Sequence, residues 1–431
     1  MGFFKAEGLI SGWVGKIRNN LYFRITRQCK NSEINCFKLF ILMKKIVIFG
    51  LGRMGLAILE QLNEFKNFEI FVYDINKTKE EEVIKKFENV NSLSKLSEII
   101  YDALNKLKPD IIINATTFYN NLYYTQLAIE VGSNYVDLGQ STWTTLKQRS
   151  YDSLAKAKKI LIVPETGLAP GIINIIGKLF IEEGIENVYL YTGGLPINSN
   201  LGGPLRYATT WSIEGLIQEY TDLSVSRKDN KIVFNQGILT EIEEIEIKFK
   251  SLEIYEKLKN FQKLDYKNGH YYICDLEALI TSDGVSLMPF DYPCKNLEYK
   301  TIRYKGHYDV IKMLYNLGFF DEARGLRRTT IEMLEKIIPK TNEDMVLMKV
   351  IGISGNRTKE FNGIVLYDEK WTAMQKMTGY GCVISALGII KEIDILKYEN
   401  YGVFMPYEIF EGKKFLSYLT KFLKHFEFNY D

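Results

Sequence analysis

The chain has 431 residues, 46% hydrophobic and 25% charged, which excludes disorder over most of its length and points to two or three domains. Its 55 basic and 53 acidic residues nearly cancel to +2, so nucleic-acid binding built on bulk charge is excluded. No run approaches the ~18 apolar residues of a membrane-spanning helix.

Residues 1–42 carry seven basic residues against Glu7 and Glu33, a net of +5, and show no helical or alternating period. The segment is expected to stand outside the fold as an extension. An upstream start is the leading explanation; a basic, acid-poor targeting arm and a surface extension are the others.

An ordered pattern starts at Met43. Lys44-Lys45-Ile46-Val47-Ile48-Phe49 reads as a buried parallel strand. Gly50-Leu51-Gly52-Arg53-Met54-Gly55 follows at once, then a helix over Leu56–Phe65 with Leu56, Leu59, Leu62 and Phe65 at helical spacing. Strand, GxGxxG and helix in this order form a dinucleotide-binding fingerprint. Gly50 permits the tight turn, Gly52 the approach of backbone to a pyrophosphate, and Gly55 close packing of helix on strand, with the helix N-terminus facing the phosphate charge. Arg53 and Met54 are therefore expected at the cofactor as well. A second strand, Glu69–Tyr73, ends in Asp74, 24 residues after Gly50. Its carboxylate suits the adenosine ribose hydroxyls and repels a 2′-phosphate, so NAD is expected over NADP; nearby Lys77 softens that preference. Capping of a helix from Lys77 is the other use of Asp74.

Asp110–Asn114, Asn134–Asp137 and Lys159–Val163 read as further strands, with a helix over Leu122–Val131. Alternating strands and helices predict a Rossmann-type doubly wound parallel sheet of the α/β class over residues 43–170. Ligands sit at the carboxyl ends of such strands, which puts Ala115, Thr116 and Asp137 at the nicotinamide end. For Asp137 an active-site role and a helix cap both remain open.

After Pro170-Gly171 the pattern changes to an α+β substrate domain of mixed or antiparallel sheet, residues 171–375, inserted into the first. Helices are predicted at Ile172–Glu183, Ser212–Tyr220 and His307–Leu317. Strands are predicted at Val188–Tyr191, Lys231–Phe234, Glu243–Phe249, Leu297–Arg303, Met345–Ile353 and Gly363–Tyr367, with a turn at Thr192–Pro196. A helix over Thr378–Ile389 then leads residues 376–431 back to the first domain. Three polar groups stand out here. Glu214 opens a helix, where it either meets substrate or complements the helix dipole. Arg303 shares a strand face with Thr301 and Tyr299 and could clamp a carboxylate. His307 could be a general base or a capping or core histidine.

Five cysteines (Cys29, Cys36, Cys274, Cys294, Cys382) have no CxxC spacing and an odd count, which suits reduced thiols in a cytoplasmic protein; Cys274 and Cys294 read as small buried residues. His270, His307 and His425 are the only histidines and fall in no ligand spacing, so no metal site is expected.

The strings GLGRMG (50–55), INAT (113–116), YVDLG (135–139), GLAPGIIN (167–174), YTGGLP (191–196), WSIEGLIQEY (211–220) and LEYKTIRYKGH (297–307) make the chain from Met43 onward resemble the saccharopine dehydrogenase superfamily, its lysine 6-dehydrogenase branch in particular. The resemblance implies a Rossmann domain split by a substrate domain, with NAD as cofactor. It implies oxidative deamination of the ε-amino group of lysine, the aldehyde cyclising to a piperideine carboxylate. Saccharopine reductases are similar but place an arginine near position 214 for the glutarate carboxylate. Glu214 favours a cationic diamine-type amino acid instead. The expected mechanism holds the lysine α-carboxylate near Arg303 and passes the amine proton to Asp137, Glu214 or His307. The alternatives are a saccharopine- or carboxynorspermidine-type dehydrogenase acting on a secondary amine, and a non-catalytic NAD-binding regulator. A homodimer or homotetramer is expected, with no nucleic-acid or membrane partner.

Overall fold

Ile46, Val47, Ile48 and Phe49 are completely buried in the strand Lys44–Phe49, as a run without alternation requires when helices cover both faces of a sheet. The protein is described by a computed structural model that covers residues 43–431 apart from 66–67, 140 and 236–241. The expectations placed on residues 1–42, Cys29 and Cys36 lie outside the described residues.

Among the described residues the first sheet has seven strands, all parallel. Their order is Gly402–Val403, Leu161–Val163, Asn134–Asp137, Ile111–Asn114, Lys44–Phe49, Phe68–Tyr73, Val90–Ser92. The chain runs outward from Lys44–Phe49 to one edge, then starts again on the other side of that strand at Ile111–Asn114. The reversal opens a crevice at the carboxyl ends of these two central strands. Ile111, Ile112 and Ile113 are fully buried, each contributing roughly 1.5–3 kcal/mol. The predicted doubly wound sheet is therefore present. Val90–Ser92 and Gly402–Val403 were not anticipated, because three and two residues are too short to show a period.

The second sheet is mixed and, among the described residues, has ten strands. Its main path is Glu243–Phe249, His270–Ile280, Asn296–Tyr304, Asn187–Pro196, Asp344–Ser354, Arg357–Leu366, Phe426–Tyr430. Asn296–Tyr304 runs parallel to Asn187–Pro196, and the other neighbours on this path are antiparallel. The turn predicted at Thr192–Pro196 is instead the continuation of the strand Asn187–Pro196. Its glycines are there for close approach: a Cβ on Gly193 would lie 2.6 Å from the Ile302 carbonyl oxygen, and one on Gly194 2.8 Å from Met374 Sδ. His270–Ile280 escaped prediction because Asp275, at φ +66°, breaks its alternation.

The helix Ala373–Ile389, opened by a Thr372/Gln375 capping box, packs on Arg53–Asn63 so closely that a Cβ on Gly379 would meet Gln61 Oε1 at 2.5 Å. One core runs from the parallel sheet through Ile172–Glu182 and Ala373–Ile389 to the second sheet. A separate cluster holds Ile213–Thr221 and His307–Asn316 together. Among the described residues, no helix is long and apolar enough to cross a membrane.

Candidate active site

The glycine loop is built as its sequence demands. Gly50 sits at φ +88°, and a Cβ there would fall 2.9 Å from the Ala115 carbonyl oxygen and the Thr116 nitrogen. A Cβ on Gly55 would lie 1.9 Å from the Gly50 oxygen, so the helix Arg53–Asn63 rests directly on the turn. Gly52 is the opposite case. It caps that helix, and a Cβ there would meet nothing within 4 Å. Open space in front of a helix N-terminus is what a pyrophosphate needs. Asp74 Oδ2 accepts from the Leu51 N–H at 2.6 Å and Oδ1 from the Asn76 N–H at 2.8 Å, which ties the end of the second strand to the loop. Asp74 caps no helix: that position belongs to Asn76, which accepts from the Lys79 N–H. Lys77 donates to Glu80 at 3.0 Å and to Ser94 at 2.9 Å. These residues fit the adenosine and pyrophosphate parts of a dinucleotide.

A cavity of about 560 Å³ runs from this loop, past Ala115, Thr116, Leu138 and Gly139, to the second sheet. The loop side contributes the charges of Arg53 and Asp74; the second-sheet side contributes Glu214, Glu219, Asp283 and Arg303. Glu214 lies in the first turn of Ile213–Thr221, capped by Ser212 Oγ at 3.1 Å from the Gly215 nitrogen, and, after burial, its charge helps raise the pKa of the nearby Tyr119 hydroxyl. The Arg303 side chain is 3% exposed and saturated from one side: Nη2 donates to Glu219 at 2.9 Å, Nε to the Tyr220 hydroxyl at 3.0 Å and Nη1 to the Ile302 carbonyl at 2.9 Å. Of its five N–H groups, two are left for another acceptor. Burial pushes Glu219 up to about 7, with Arg303 opposing. Asp283 accepts from the Thr142 N–H at 2.9 Å, the Thr142 hydroxyl at 3.2 Å and the Ser282 hydroxyl at 2.9 Å, and burial pushes it up to about 7.

Of the predicted site residues, Gly50, Gly52, Arg53, Met54, Asp74, Ala115, Thr116, Glu214 and Arg303 line this one cavity, and Gly55 supports it from behind. Two of the site expectations, Asp137 and His307, need correction. Asp137 is completely buried behind the wall, its oxygens taken by the Gly139 and Glu165 N–H groups and the Gln148 amide, so it shapes the strand end and does not reach a ligand. His307 is also completely buried: Nδ1 bonds the Leu205 carbonyl at 2.8 Å and Nε2 the Tyr220 hydroxyl at 2.9 Å. Burial, with Arg303 adding, pushes it down to about 3, so it is a neutral core histidine holding Tyr220 under Arg303 and no general base. Arg53 reaches the cavity, but its guanidinium donates to the Thr210 carbonyl at 2.9 Å and to Asn342 Oδ1 at 3.1 Å, tying the glycine loop to the second sheet's loops. Cys294 and Cys382 are buried, whereas Cys274 is only half-buried, its Sγ 3.4 Å from Glu246, because the bulged strand turns it outward.

Glu219 and Asp283 were missed. Glu219 lies five residues beyond Glu214 on the same helix, about 140° around it, so no face pattern links the two. Asp283 stands in Thr281-Ser282-Asp283-Gly284, which reads as an ordinary turn.

Residues 46–163 match the family model described as the saccharopine dehydrogenase NADP binding domain, and residues 167–426 the saccharopine dehydrogenase C-terminal domain. Mitochondrial alpha-aminoadipic semialdehyde synthase of Rattus norvegicus is 23% identical over 198 residues, 44% of this chain and 21% of that protein. Saccharopine dehydrogenase (NADP(+), L-glutamate-forming) of Pyricularia oryzae is 24% identical over 296 residues, 65% of this chain and 61% of that one. The chain thus spans about a fifth of the rat relative's length and under two thirds of the fungal one's. The apo histidine-tagged saccharopine dehydrogenase (L-Glu forming) from Saccharomyces cerevisiae superimposes with a TM-score of 0.64 at 15% identity, covering 90% of this chain and all of that one, which establishes a common fold. With a dinucleotide fingerprint, a second mixed sheet closing over it, and a C-terminal family model that alone spans residues 167–426, the chain belongs to the saccharopine dehydrogenase family.

Proposed function

We propose that the protein is an NAD-dependent oxidoreductase that removes the ε-amino group of lysine. One observation carries this reading: the second-sheet side of the cavity presents three carboxyl side chains, Glu214, Glu219 and Asp283, against the single guanidinium of Arg303. Such a wall attracts a cationic amine. It disfavours saccharopine, which adds a glutarate arm with two more carboxylates. Glu214 meets the ammonium group, and the two free N–H groups of Arg303 take the α-carboxylate. Arg53 keeps the Thr210 and Asn342 loops over the glycine loop, which limits the entry of water beside the reacting carbon. The dinucleotide, when bound, supplies the hydride acceptor. Water then adds to the imine of the substrate, and ammonia leaves.

The preference for NAD rests on Asp74 at the lip of the cavity and on Lys77, which is engaged by Glu80 and Ser94. The second reading is oxidation of saccharopine or a related secondary amine with NADP, favoured by the name of the N-terminal family model. Purified protein is mixed with NAD or NADP and one amine at a time, and the absorbance of reduced nicotinamide is followed. Lysine with NAD should give the signal. A signal from saccharopine with NADP, and none from lysine, overturns the reading.

A further inference from the structure

The three carboxyl groups on the second-sheet side of the cavity are held differently. Glu214 is half-buried in the first turn of its helix, and Glu219 is paired with Arg303 at 2.9 Å. Asp283 is 6% exposed and takes hydrogen bonds from neutral donors, the Thr142 N–H, the Thr142 hydroxyl and the Ser282 hydroxyl. Among the described residues no cation bonds it.

Its position is fixed from both halves of the protein. Asp283 has a left-handed backbone at φ +69°, a conformation that costs a non-glycine residue roughly 1–2 kcal/mol and persists where the surroundings impose it. The adjoining Gly284 carbonyl accepts from Asn174 Nδ2 at 3.1 Å, Ser286 bonds Glu165, and a Cβ on Gly284 would strike the Tyr299 ring at 2.2 Å. Thr142, the residue that Asp283 bonds twice, lies shortly after the carboxyl end of the strand Asn134–Asp137, where a doubly wound sheet places its ligand. Backbone strain at a cavity wall, a rigid mount and a carboxylate without a cation together describe a group that seeks a proton or an ammonium.

From this geometry we infer that Asp283 is the catalytic base of the reaction, the group that receives the proton of the substrate amine. The inference rests on the amine-oxidising function proposed above. In the first step the ammonium N–H bond breaks and an Asp283 O–H bond forms, leaving a neutral amine with a free electron pair. In the second, the adjacent carbon loses hydride, and with it two electrons, to the oxidised nicotinamide dinucleotide; the nitrogen electron pair closes the C=N bond of an iminium ion. Burial pushes Asp283 up to about 7, and Asp222 adds to the shift, so the group changes from acid to carboxylate across neutral pH. The charged groups facing it are Asp222, Glu165, and Glu219 with its partner Arg303.

The test is Asp283→Asn, whose amide oxygen can still accept from the Thr142 N–H, compared with Glu219→Gln. The wild type should lose kcat/KM toward acid through a pKa near 7. Asp283→Asn should keep its thermal unfolding midpoint, lose at least ~100-fold in kcat and lose that acid limb. Calorimetry gives a reading independent of turnover: at pH 6, lysine binding to the NADH-loaded wild type should release a proton to buffer, and binding to Asp283→Asn should not. An Asp283→Asn protein within ~3-fold of the wild type, with the same acid limb, overturns the inference and leaves lysine oxidation standing. So does transfer of both effects to Glu219→Gln. If the wild type oxidises a secondary amine in place of lysine, the substrate reading fails, and the same comparison on that amine decides Asp283.

Discussion

Gly52→Asp separates binding from folding at the glycine loop. Gly52 has φ −66° and ψ −171°, extended values open to any residue, and its Cβ position is empty to 4 Å. The residue also caps the helix Arg53–Asn63 without a side-chain bond, so an aspartate can only improve the cap, by a few tenths of a kcal/mol. The unfolding temperature should therefore stay the same or rise slightly. The same carboxylate stands where a pyrophosphate would lie. Two like unit charges ~4 Å apart at an effective dielectric constant of ~20 repel by ~4 kcal/mol, which weakens binding by roughly a thousandfold. Calorimetric titration with NADH and with NADPH, beside a thermal unfolding curve, reads both quantities on one sample. Gly55→Asp is the contrast: its Cβ meets the Gly50 oxygen at 1.9 Å, so folding and binding should fail together. A folded Gly52→Asp protein that binds either dinucleotide with wild-type Kd would refute the assignment of this loop.

Glu214→Arg should lower kcat/KM for lysine by ~100-fold, because a guanidinium replaces the carboxylate proposed to meet the ammonium group and like charges at close range cost several kcal/mol; unchanged steady-state kinetics remove Glu214 from the site. Glu165 is completely buried, and burial pushes it up to about 8 from 4.5. The folded chain thus holds a proton that the unfolded chain releases between those values, and stability should fall as pH rises through 4.5 to about 8. Glu165→Gln removes that contribution, so urea midpoints at pH 5, 7 and 9 should decline less steeply than in the wild type; parallel declines would count against the buried acid.

What could be read from the sequence is what depends on neighbours in sequence. The strand, glycine loop and helix at 44–65 are local: Gly50 makes the tight turn and Gly55 the close packing that their spacing implies, with open space at Gly52. Arg303 does share a cavity-lining face with Thr301 and Tyr299, since alternation fixes the face of a strand residue. The pattern could not show that Glu219 waits for its guanidinium. Asp137 and His307 were misplaced for a related reason: each lies at an element end near the cavity, but whether a side chain faces the ligand or the core depends on packing from segments far along the chain. Asp283 left no mark beyond a turn, because its meaning comes from Thr142, 141 residues away. Gly193 and Gly194 show the reverse error, residues with strong turn statistics recruited into a strand by their lack of volume.

The route of the final strands has a mechanical consequence. After Ala373–Ile389 the chain adds Gly402–Val403 to the edge of the parallel sheet beside Leu161–Val163, and then Phe426–Tyr430 to the edge of the mixed sheet beside Arg357–Leu366. One short stretch of chain therefore stitches the rims of both halves. Neither half can melt without pulling the thread from the other, so the two should unfold in a single cooperative transition. For the same reason the nucleotide-binding half is no detachable module: cut away at residue 170, it would bare the backbone of Leu161–Val163 and the helix face that Ala373–Ile389 covers, an invitation to aggregate.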